Sequence, residues 1–344
     1  MPLNWTSLHD RLHQTIRRRK LFSSEESILI AVSGGQDSLC LAQLLLDLQP
    51  KWAWKLAIAH CNHRWAVDSP QLPGHVQAIA ESWNLPFHLV TAPDAVAEDN
   101  REATARNWRY TALSTLATTH GFTSVTTGHT ASDRAETLIY NLIRGSGIDG
   151  LSALGWSRSL APNIALVRPM LTITRTETAN FCQQLSLPVW DDPANDDLHY
   201  ARNRIRAEVL PYLAQHFNPN LEYTLATTVE VLQADAAYLE AEADQLFQQA
   251  VDERPSAATL LDEVEGTTAA IARLRVQRRQ LMQCPLSLQR RVMRKCLLKL
   301  LSKAPTFEHI EKLSALITAP NRSQTDPLPG GTIARVNGDW IEFI

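Results

Sequence analysis

The sequence predicts an α/β fold, with a parallel five-stranded sheet covered by helices on both faces and a mainly helical C-terminal domain. The first observation is that short apolar runs alternate with segments of helical periodicity over residues 1–213. Such alternation is typical of βαβ units, whose crossover helices produce parallel sheets. The second is the stretch 221–249, which is rich in Ala, Leu, Glu and Gln, contains no Gly or Pro, and predicts one long helix.

The elements of the N-terminal domain follow from their periodicity. Residues 1–20 predict an amphipathic helix, because Leu8, Leu12 and Ile16 recur at helical spacing. Apolar runs then predict strands at 28–32, 55–60, 87–90, 123–128 and 164–168. Helices are predicted at 38–48, 71–84, 101–119, 132–143 and 174–186. Ligands of parallel α/β sheets bind beyond the carboxyl ends of the strands, so we expect the site there.

Pro and Asn residues at 211–220 separate the alternating strands and helices from the long helical stretch that follows. We therefore predict domains at 1–213 and 214–344. In the second domain, 286–302 predicts a basic helix. Residues 332–336 and 340–343 predict a closing hairpin over an Asn-Gly-Asp turn.

The composition of the 344 residues is that of a globular protein, with 44% hydrophobic residues and a formal net charge of −3. No apolar run approaches the ~20 residues that cross a bilayer. The five cysteines form no C-x-x-C pair, which disfavours disulfides and structural zinc. We therefore expect a cytoplasmic protein without a membrane partner.

Charge is strongly segregated in the C-terminal domain. Residues 230–265 contain ten acids and one base, whereas 271–303 contain ten bases and no acid. One interpretation is an electropositive face that binds nucleic acid, with Arg290, Arg291 and Arg294 as candidate RNA ligands. The alternative is two helices of complementary charge that pair with each other.

The most specific motif is a glycine turn between the first strand and the following helix. It comprises Ser33, Gly34, Gly35, Gln36, Asp37 and Ser38. Backbone N–H groups in such a turn and the helix N-terminus favour a bound anion. A carboxylate at Asp37 would repel a phosphate unless a divalent cation lies between them. The motif lacks the Lys of a Walker sequence.

Other polar residues follow the second and fourth strands and their helices. His129, Asp133 and Glu136 could hold Mg²⁺ or an ammonium group and transfer a proton, or could simply cap a helix. Arg106 and Arg109 could bind phosphates, or could be surface arginines. The next candidates are RNA ligands that could equally belong to a solvated helix start: Arg202, Arg204 and Arg206.

Together these motifs resemble the tRNA(Ile)-lysidine synthetase family of PP-loop ATP pyrophosphatases, which have an adenine nucleotide α-hydrolase-like fold. The likeness extends in order over residues 27–211. It includes His60-Cys61-Asn62-His63-Arg64, 102–110, 128–137, 144–147, 168–171, 192–195 and 202–206. The His63-Arg64-Trp65 variant is similar to cyanobacterial and plastid members. Thr130, Ser132 and Arg134 replace the usual His, Asp and Gln.

The resemblance implies an enzyme that uses ATP and Mg²⁺ on a tRNA(Ile) with a CAU anticodon. ATP adenylates O2 of the wobble cytidine, and free L-lysine then displaces AMP, so that decoding switches from AUG to AUA. It implies that the glycine turn and His60 bind the nucleotide, that Asp37 and Asp133 hold the metal, and that Arg106 or Arg109 offsets charge at the α-phosphate. Asp133 or His129 would accept the proton of lysine. A homodimer is left open.

Two other functions remain as alternatives. A PP-loop tRNA thiolase usually relies on paired or catalytic cysteines, and this chain has no C-x-x-C. A non-catalytic tRNA-binding protein with a relict nucleotide site would not need the three carboxylates at Asp37, Asp133 and Glu136.

Overall fold

The computed structural model describes residues 5–64, 71–94, 102–191, 197–254 and 273–344. The chain forms two compact units, Met1–Gln233 and Ala234–Ile344. These units divide within the long helix Leu221–Ala250. The domain boundary between residues 213 and 214 therefore stays a prediction, and the following description uses the two compact units.

The first unit is built on a six-stranded sheet with the strand order β3-β2-β1-β4-β6-β5. Neighbours from β3 to β6 are parallel, and β5 pairs with β6 in the antiparallel sense. The five parallel strands are those that the sequence predicts, but the sheet has one further edge strand. The strands are β1 (Ser27–Ala31), β2 (Lys55–Asn62), β3 (Phe87–Thr91), β4 (Ser124–Thr127), β5 (Ser157–Ala161) and β6 (Ile164–Val167).

Helices cover this sheet and confirm the predicted βαβ alternation. Leu12 and Ile16 of the first helix are fully buried in the same core as Ile28 and Ile30 of β1, so the periodicity that predicts the helix reflects packing. The described helices of this unit are Ser7–Arg19, Gln36–Trp52, Leu72–Ser82, Glu102–His120, Ala131–Ile143, Ile148–Leu151, Arg175–Gln184, Ala201–Arg204 and Leu210–His216, with a π-helical turn at Ile205–Val209.

The second unit contains more sheet than the sequence predicts. Four antiparallel strands have the order β7-β8-β10-β9. The predicted hairpin of β9 and β10 is present, whereas β7 and β8 are an addition to the mainly helical domain that was predicted. The strands are β7 (Val251–Arg254), β8 (Arg273–Gln277), β9 (Ala334–Asn337) and β10 (Trp340–Phe343), and the helices are Arg278–Met282, Leu286–Leu300 and Phe307–Ala315.

Within the residues that the structure describes, no helix combines the length and the apolar character needed to span a bilayer. The five cysteines are all free thiols.

Candidate active site

The glycine turn joins β1 to the helix Gln36–Trp52 at the carboxyl edge of the sheet. Gly34 has a φ of +94°, and a Cβ atom at this position would lie 2.7 Å from Leu72 Cδ1. The site therefore requires glycine for both conformation and space. The Gly34 carbonyl accepts a hydrogen bond of 3.0 Å from the Trp190 amide, which holds the turn in place.

Two serine hydroxyls stabilise the inside of the turn. The Ser38 Oγ donates to the Gly35 carbonyl at 2.8 Å, and the Ser33 and Ser38 Oγ atoms are 3.2 Å apart. The first turn of the helix begins at Gln36, so its backbone N–H groups and positive dipole end face the same space. Ser33–Ser38 thus form the turn that the sequence predicts, and anion binding by this turn stays a prediction. The Gln36 side chain instead donates to the Arg175 carbonyl at 2.9 Å.

Gly128 brings the end of β4 into direct contact with this helix start. A Cβ atom on Gly128 would lie 2.8 Å from the Asp37 carbonyl oxygen and 3.0 Å from the Ser38 amide nitrogen. Because backbone atoms cannot move aside easily, only glycine allows this approach. The contact places the residues after β4 beside Asp37.

Arg175 lies among three acidic side chains at this edge. Its Nε donates to Asp37 Oδ2 at 3.0 Å, and its terminal nitrogens lie 3.5 Å from Asp133 Oδ1 and 3.5 Å from Glu136 Oε1. The structure therefore brings the three predicted carboxylates together. Sequence analysis missed Arg175, whose one signal is its place at the first turn of a predicted helix.

Asp37 is held by two residues of the helix Arg175–Gln184. Besides Arg175, it accepts a hydrogen bond from the Thr178 hydroxyl. Burial raises the pKa of Asp37, while Arg175 acts in the opposite direction. Since a buried carboxylate is stable as an anion only beside positive charge, the site favours a cation at this position.

Asp133 serves as a helix cap as well as a partner of Arg175. Its Oδ2 accepts from the Thr130 amide at 2.7 Å and from the Thr130 hydroxyl at 2.8 Å, which completes a capping box. Burial works against its ionisation, but His129, Arg175 and these hydrogen bonds together lower the pKa of Asp133. The carboxylate is therefore anionic at neutral pH and a weak base.

Glu136 lies one turn deeper and is held by a second arginine. Arg206 donates from Nε to Oε1 at 2.6 Å and from Nη2 to Oε2 at 2.9 Å, a bidentate pair. The Glu136 side chain is buried, and burial raises its pKa while Arg206 opposes that effect. Arg206, predicted to bind RNA, thus neutralises a carboxylate of the site.

His129 follows β4 and remains neutral. Its Nδ1 lies 2.8 Å from the Thr127 hydroxyl. Burial lowers its pKa to about 4, although Asp133 acts to raise it. The imidazole is therefore uncharged at neutral pH, and its role as a proton acceptor stays a prediction.

His60, near the end of β2, lines the cavity. Its Nδ1 donates to the Val32 carbonyl at 2.8 Å, and burial lowers its pKa. Nε2 is then the unprotonated nitrogen, and it is buried without a hydrogen-bond partner. Such an orphaned acceptor matches a donor group on a ligand, for example an amino group of a nucleobase.

Arg109 and Arg106 are both close enough to His129 to help lower its pKa, but they have different contacts. Arg109 donates to His63 Nε2 from Nε at 3.1 Å, and its Nη2 is 3.0 Å from the same atom. Burial, together with Arg109, lowers the pKa of His63 to about 4. Arg109 lines the cavity, whereas the Arg106 guanidinium lies 5.7 Å from the centre of the Tyr110 ring.

These residues surround one open cavity of about 670 Å³, a volume within the range of small-ligand sites. Its lining includes Ser33, Asp37, Ser38, His60, His63, Arg109, Gly128, His129, Asp133 and Arg175. The glycine turn, the carboxylates and the histidines therefore form a single site.

Comparisons with known proteins agree with this geometry. A family model described as a PP-loop domain matches residues 6–213, and a second, described as the TilS substrate-binding domain, matches residues 277–339. The tRNA(Ile)-lysidine synthase of Nostoc sp. is 56% identical, over 98% of this chain and 96% of that protein. The chain belongs to the tRNA(Ile)-lysidine synthase family.

Other members of the family support the cyanobacterial and plastid resemblance. The tRNA(Ile)-lysidine synthase of Synechocystis sp. is 47% identical over 99% of this chain and 98% of that protein. The chloroplastic enzyme of Zygnema circumcarinatum is 33% identical over 91% of this chain and 81% of that protein. A solved U34-tRNA thiolase from Methanococcus maripaludis superimposes with a TM-score of 0.57 at 17% identity, covering 66% of this chain and 78% of that one, which shows a shared fold.

The candidate RNA ligands of this family member are distributed over both units. Arg204 is exposed and Arg202 lies 5.7 Å from the Tyr140 ring centre. In the helix Leu286–Leu300, Arg290 makes a bidentate pair with Glu311 at 2.6 and 2.9 Å, and Arg291 donates to Glu240 at 2.7 Å. Glu240 and Asp244 also pair with Lys295. Much of the segregated charge is thus neutralised within the second unit, as the alternative interpretation predicts for Arg291.

Proposed function

We propose that the enzyme ligates lysine to C2 of the wobble cytidine in a tRNA(Ile) with a CAU anticodon, with release of AMP and pyrophosphate. The observation that carries this proposal is the convergence of Asp37, Asp133 and Glu136 on Arg175 beside the glycine turn. The full-length likeness to tRNA(Ile)-lysidine synthases supports it. A site with both an anion-binding turn and carboxylates suits a reaction of ATP with an amine nucleophile.

In the first step, O2 of the cytidine attacks the α-phosphorus of ATP, and the bond to the β-phosphate oxygen breaks. The glycine turn and the helix dipole would bind the departing pyrophosphate. His60 Nε2 would accept a hydrogen bond from the adenine amino group. Arg109, which lines the cavity, would offset negative charge at the α-phosphate. Such transfers depend mainly on positioning and charge neutralisation.

Asp37 and Asp133 are the residues that fit Mg²⁺. Both carboxylates lie within 3.5 Å of the same guanidinium, so they already converge on one positively charged position. Mg²⁺ commonly binds one or two carboxylates together with substrate phosphates, and the described residues contain no cluster of three ligands. When bound, the ion would neutralise the phosphate charge near Asp37.

In the second step, the ε-nitrogen of lysine attacks C2, the C2–O bond breaks, and AMP leaves. The amine must be neutral to attack, so a group of the enzyme must accept its proton. His129 is neutral and lies beside Asp133, whereas the pKa of Asp133 is lowered. Because His129 is the more basic of the two, we assign the proton to His129 and the binding of the ammonium form to Asp133.

Incubation with ATP, radiolabelled lysine and total tRNA, followed by nucleoside analysis, tests this proposal. Labelled lysine should appear in one modified cytidine, only with ATP. Incorporation of sulfur would instead support the thiolase alternative, and tRNA binding without any modification would support the non-catalytic one. The proposal places the enzyme in the cytoplasm with its tRNA; light scattering would test the open expectation of a homodimer.

A further inference from the structure

Two helices of the first unit form a ladder of side-chain pairs that leads away from the cavity. Glu136 pairs with Arg206. The next pair, four residues later on the first helix and four residues earlier on the second, is Tyr140 with Arg202, whose guanidinium carbon is 5.7 Å from the ring centre. Arg144 covers the same ring at 5.3 Å and donates to the tyrosine hydroxyl at 2.7 Å. The ladder therefore ends in one aromatic ring beside two guanidinium groups.

An apolar side chain next to this ladder is exposed to solvent. Ile143 follows Tyr140 by three residues on the same helix, so the two side chains share a face, and Ile143 is 70% exposed. Gly145, with a φ of +73°, comes two residues later, and no atom lies within 4 Å of the position of an added Cβ. We call Tyr140, Ile143, Arg144 and Arg202 the Tyr140 patch.

The composition of the Tyr140 patch indicates its partner. Proteins bind unpaired nucleotides by stacking the bases on aromatic rings, arginine planes and apolar side chains, while positive charge attracts the phosphates. The patch offers all three features. It carries two cations and none of its four members is acidic, so charge favours a polyanion over a neutral or basic protein surface.

Distance along the helix fits an RNA loop that also reaches the cavity. Tyr140 follows Asp133 by seven residues, which is about 10 Å along a helix axis. Because an unpaired strand can be more extended than the 3.4 Å per nucleotide of a duplex strand, this separation spans at most about three nucleotides, a range that includes the neighbours of the cytidine. We infer that the Tyr140 patch binds the unpaired bases flanking the reacting cytidine, and this inference rests on the proposed function.

The test uses a stem–loop RNA whose loop contains CAU, and a second RNA with abasic nucleotides on both sides of the cytidine. The abasic RNA keeps its phosphates and loses base stacking. The wild-type protein should bind the intact loop about tenfold or more tightly, within the range for one to two stacked bases. Tyr140→Leu should bind both RNAs equally, and Tyr140→Phe, which keeps the ring, should restore the preference.

Tyr238→Leu provides a matched control, because Tyr238 is 65% exposed and lies on a different helix. It should preserve the preference for the intact loop. If wild-type protein forms lysidine yet binds both RNAs equally, or if Tyr140→Leu keeps the full preference, the patch does not bind flanking bases. Failure of wild-type protein to form lysidine would instead contradict the proposed function.

Discussion

The guanidinium of Arg175 sets the charge balance of the candidate site. Three carboxylates converge on it, and two of them, Asp37 and Glu136, have pKa values that burial raises. Without a nearby cation, three carboxylates that converge on one position would repel one another, and this repulsion would favour their protonation. Arg175 therefore keeps these side chains ionised and oriented before substrates bind.

We expect Arg175→Gln to lower the rate of tRNA adenylation by roughly 100-fold or more, comparable to the loss of one preorganised charge-stabilising group. Single-turnover release of pyrophosphate measures this step. Arg18→Gln is a suitable control, since Arg18 is an exposed arginine of the first helix. Adenylation at the wild-type rate in Arg175→Gln would show that the carboxylates do not need this guanidinium.

Asp37→Asn should abolish adenylation, because the amide has nearly the same shape but cannot bind Mg²⁺ as an anionic ligand. Turnover measured at saturating ATP over a range of Mg²⁺ concentrations tests the assignment. Wild-type-like turnover at saturating Mg²⁺ would exclude a metal-bridging role for Asp37.

The pH dependence of stability should report on His63. Its pKa is about 4 when folded and about 6.5 when unfolded. As pH falls, the unfolded chain binds this proton first, so the stabilisation is complete above about pH 6.5 and lost between 6.5 and 4. In His63→Gln, the drop in melting temperature across this window should be smaller, by about 2–4 °C for each kcal/mol of this linkage. An unchanged drop would contradict the assignment; His60 and His129, whose pKa values are also lowered, contribute to the remaining slope.

Sequence reasoning identifies site residues where the motif itself has a chemical oddity. A carboxylate within a glycine turn, as at Asp37, demands a cation, and the structure supplies Arg175 beside it. Arg175 itself follows Thr174 at an ordinary capped helix start, so nothing in its local sequence distinguishes it. Its role arises from tertiary contacts 138 residues apart in sequence, which local patterns do not encode.

At the scale of elements, the parallel strands were predictable and the sheet edges were not. The runs 28–32 and 164–168 are apolar because both faces of their strands are covered. By contrast, β5 has the sequence Ser-Arg-Ser-Leu-Ala and lies at an edge, half in solvent. In β8, Leu274 and Val276 alternate with polar residues and are buried. This period of two predicts a strand, but the basic residues around it favoured interpretation of the segment as a charged surface.

The ion pair between Arg206 and Glu136 should stabilise the packing of the helix Ala131–Ile143 against the segment that follows Ala201. Removing one partner leaves a buried carboxylate with Arg175 at 3.5 Å, so we expect Arg206→Gln to cost about 3 kcal/mol of unfolding free energy. Chemical denaturation measures the change. Arg204→Gln, at an exposed position on the same segment, should stay within about 0.5 kcal/mol of wild type. Equal stability of the two variants would show that the buried pair contributes little.

At the scale of the whole molecule, most of the segregated charges form ion pairs within the second unit. Acids of the helix Leu221–Ala250 hold Arg291 and Lys295, and Arg290 is held by Glu311. Counting charges along the sequence identifies the complementary segments but cannot show which cations are already paired. Binding of tRNA by Arg290, Arg291 and Arg294 therefore stays a prediction, and it requires exchange of a carboxylate for a phosphate.

Arg290 is the member of this set whose exchange is easiest to test, because its pair with Glu311 is half exposed. If Arg290 binds a phosphate, Glu311→Gln should strengthen tRNA binding a few-fold by removing the competitor. Arg290→Gln should weaken it and reduce the slope of log affinity against log salt by about 0.7–0.9. Filter binding at several salt concentrations measures both effects. Unchanged affinity and slope in both variants would assign Arg290 to stability alone.

The distance in sequence between Asp37 and Arg175 also has a consequence during synthesis on the ribosome. The glycine turn emerges early, while the arginine that balances its carboxylate comes 138 residues later. At roughly 5–20 residues per second, this interval is on the order of ten seconds. Until then, the nascent chain carries Asp37, and later Asp133 and Glu136, without the guanidinium that pairs with them. Translation order thus postpones the charge balance of the candidate site until about half of the 344 residues have been made.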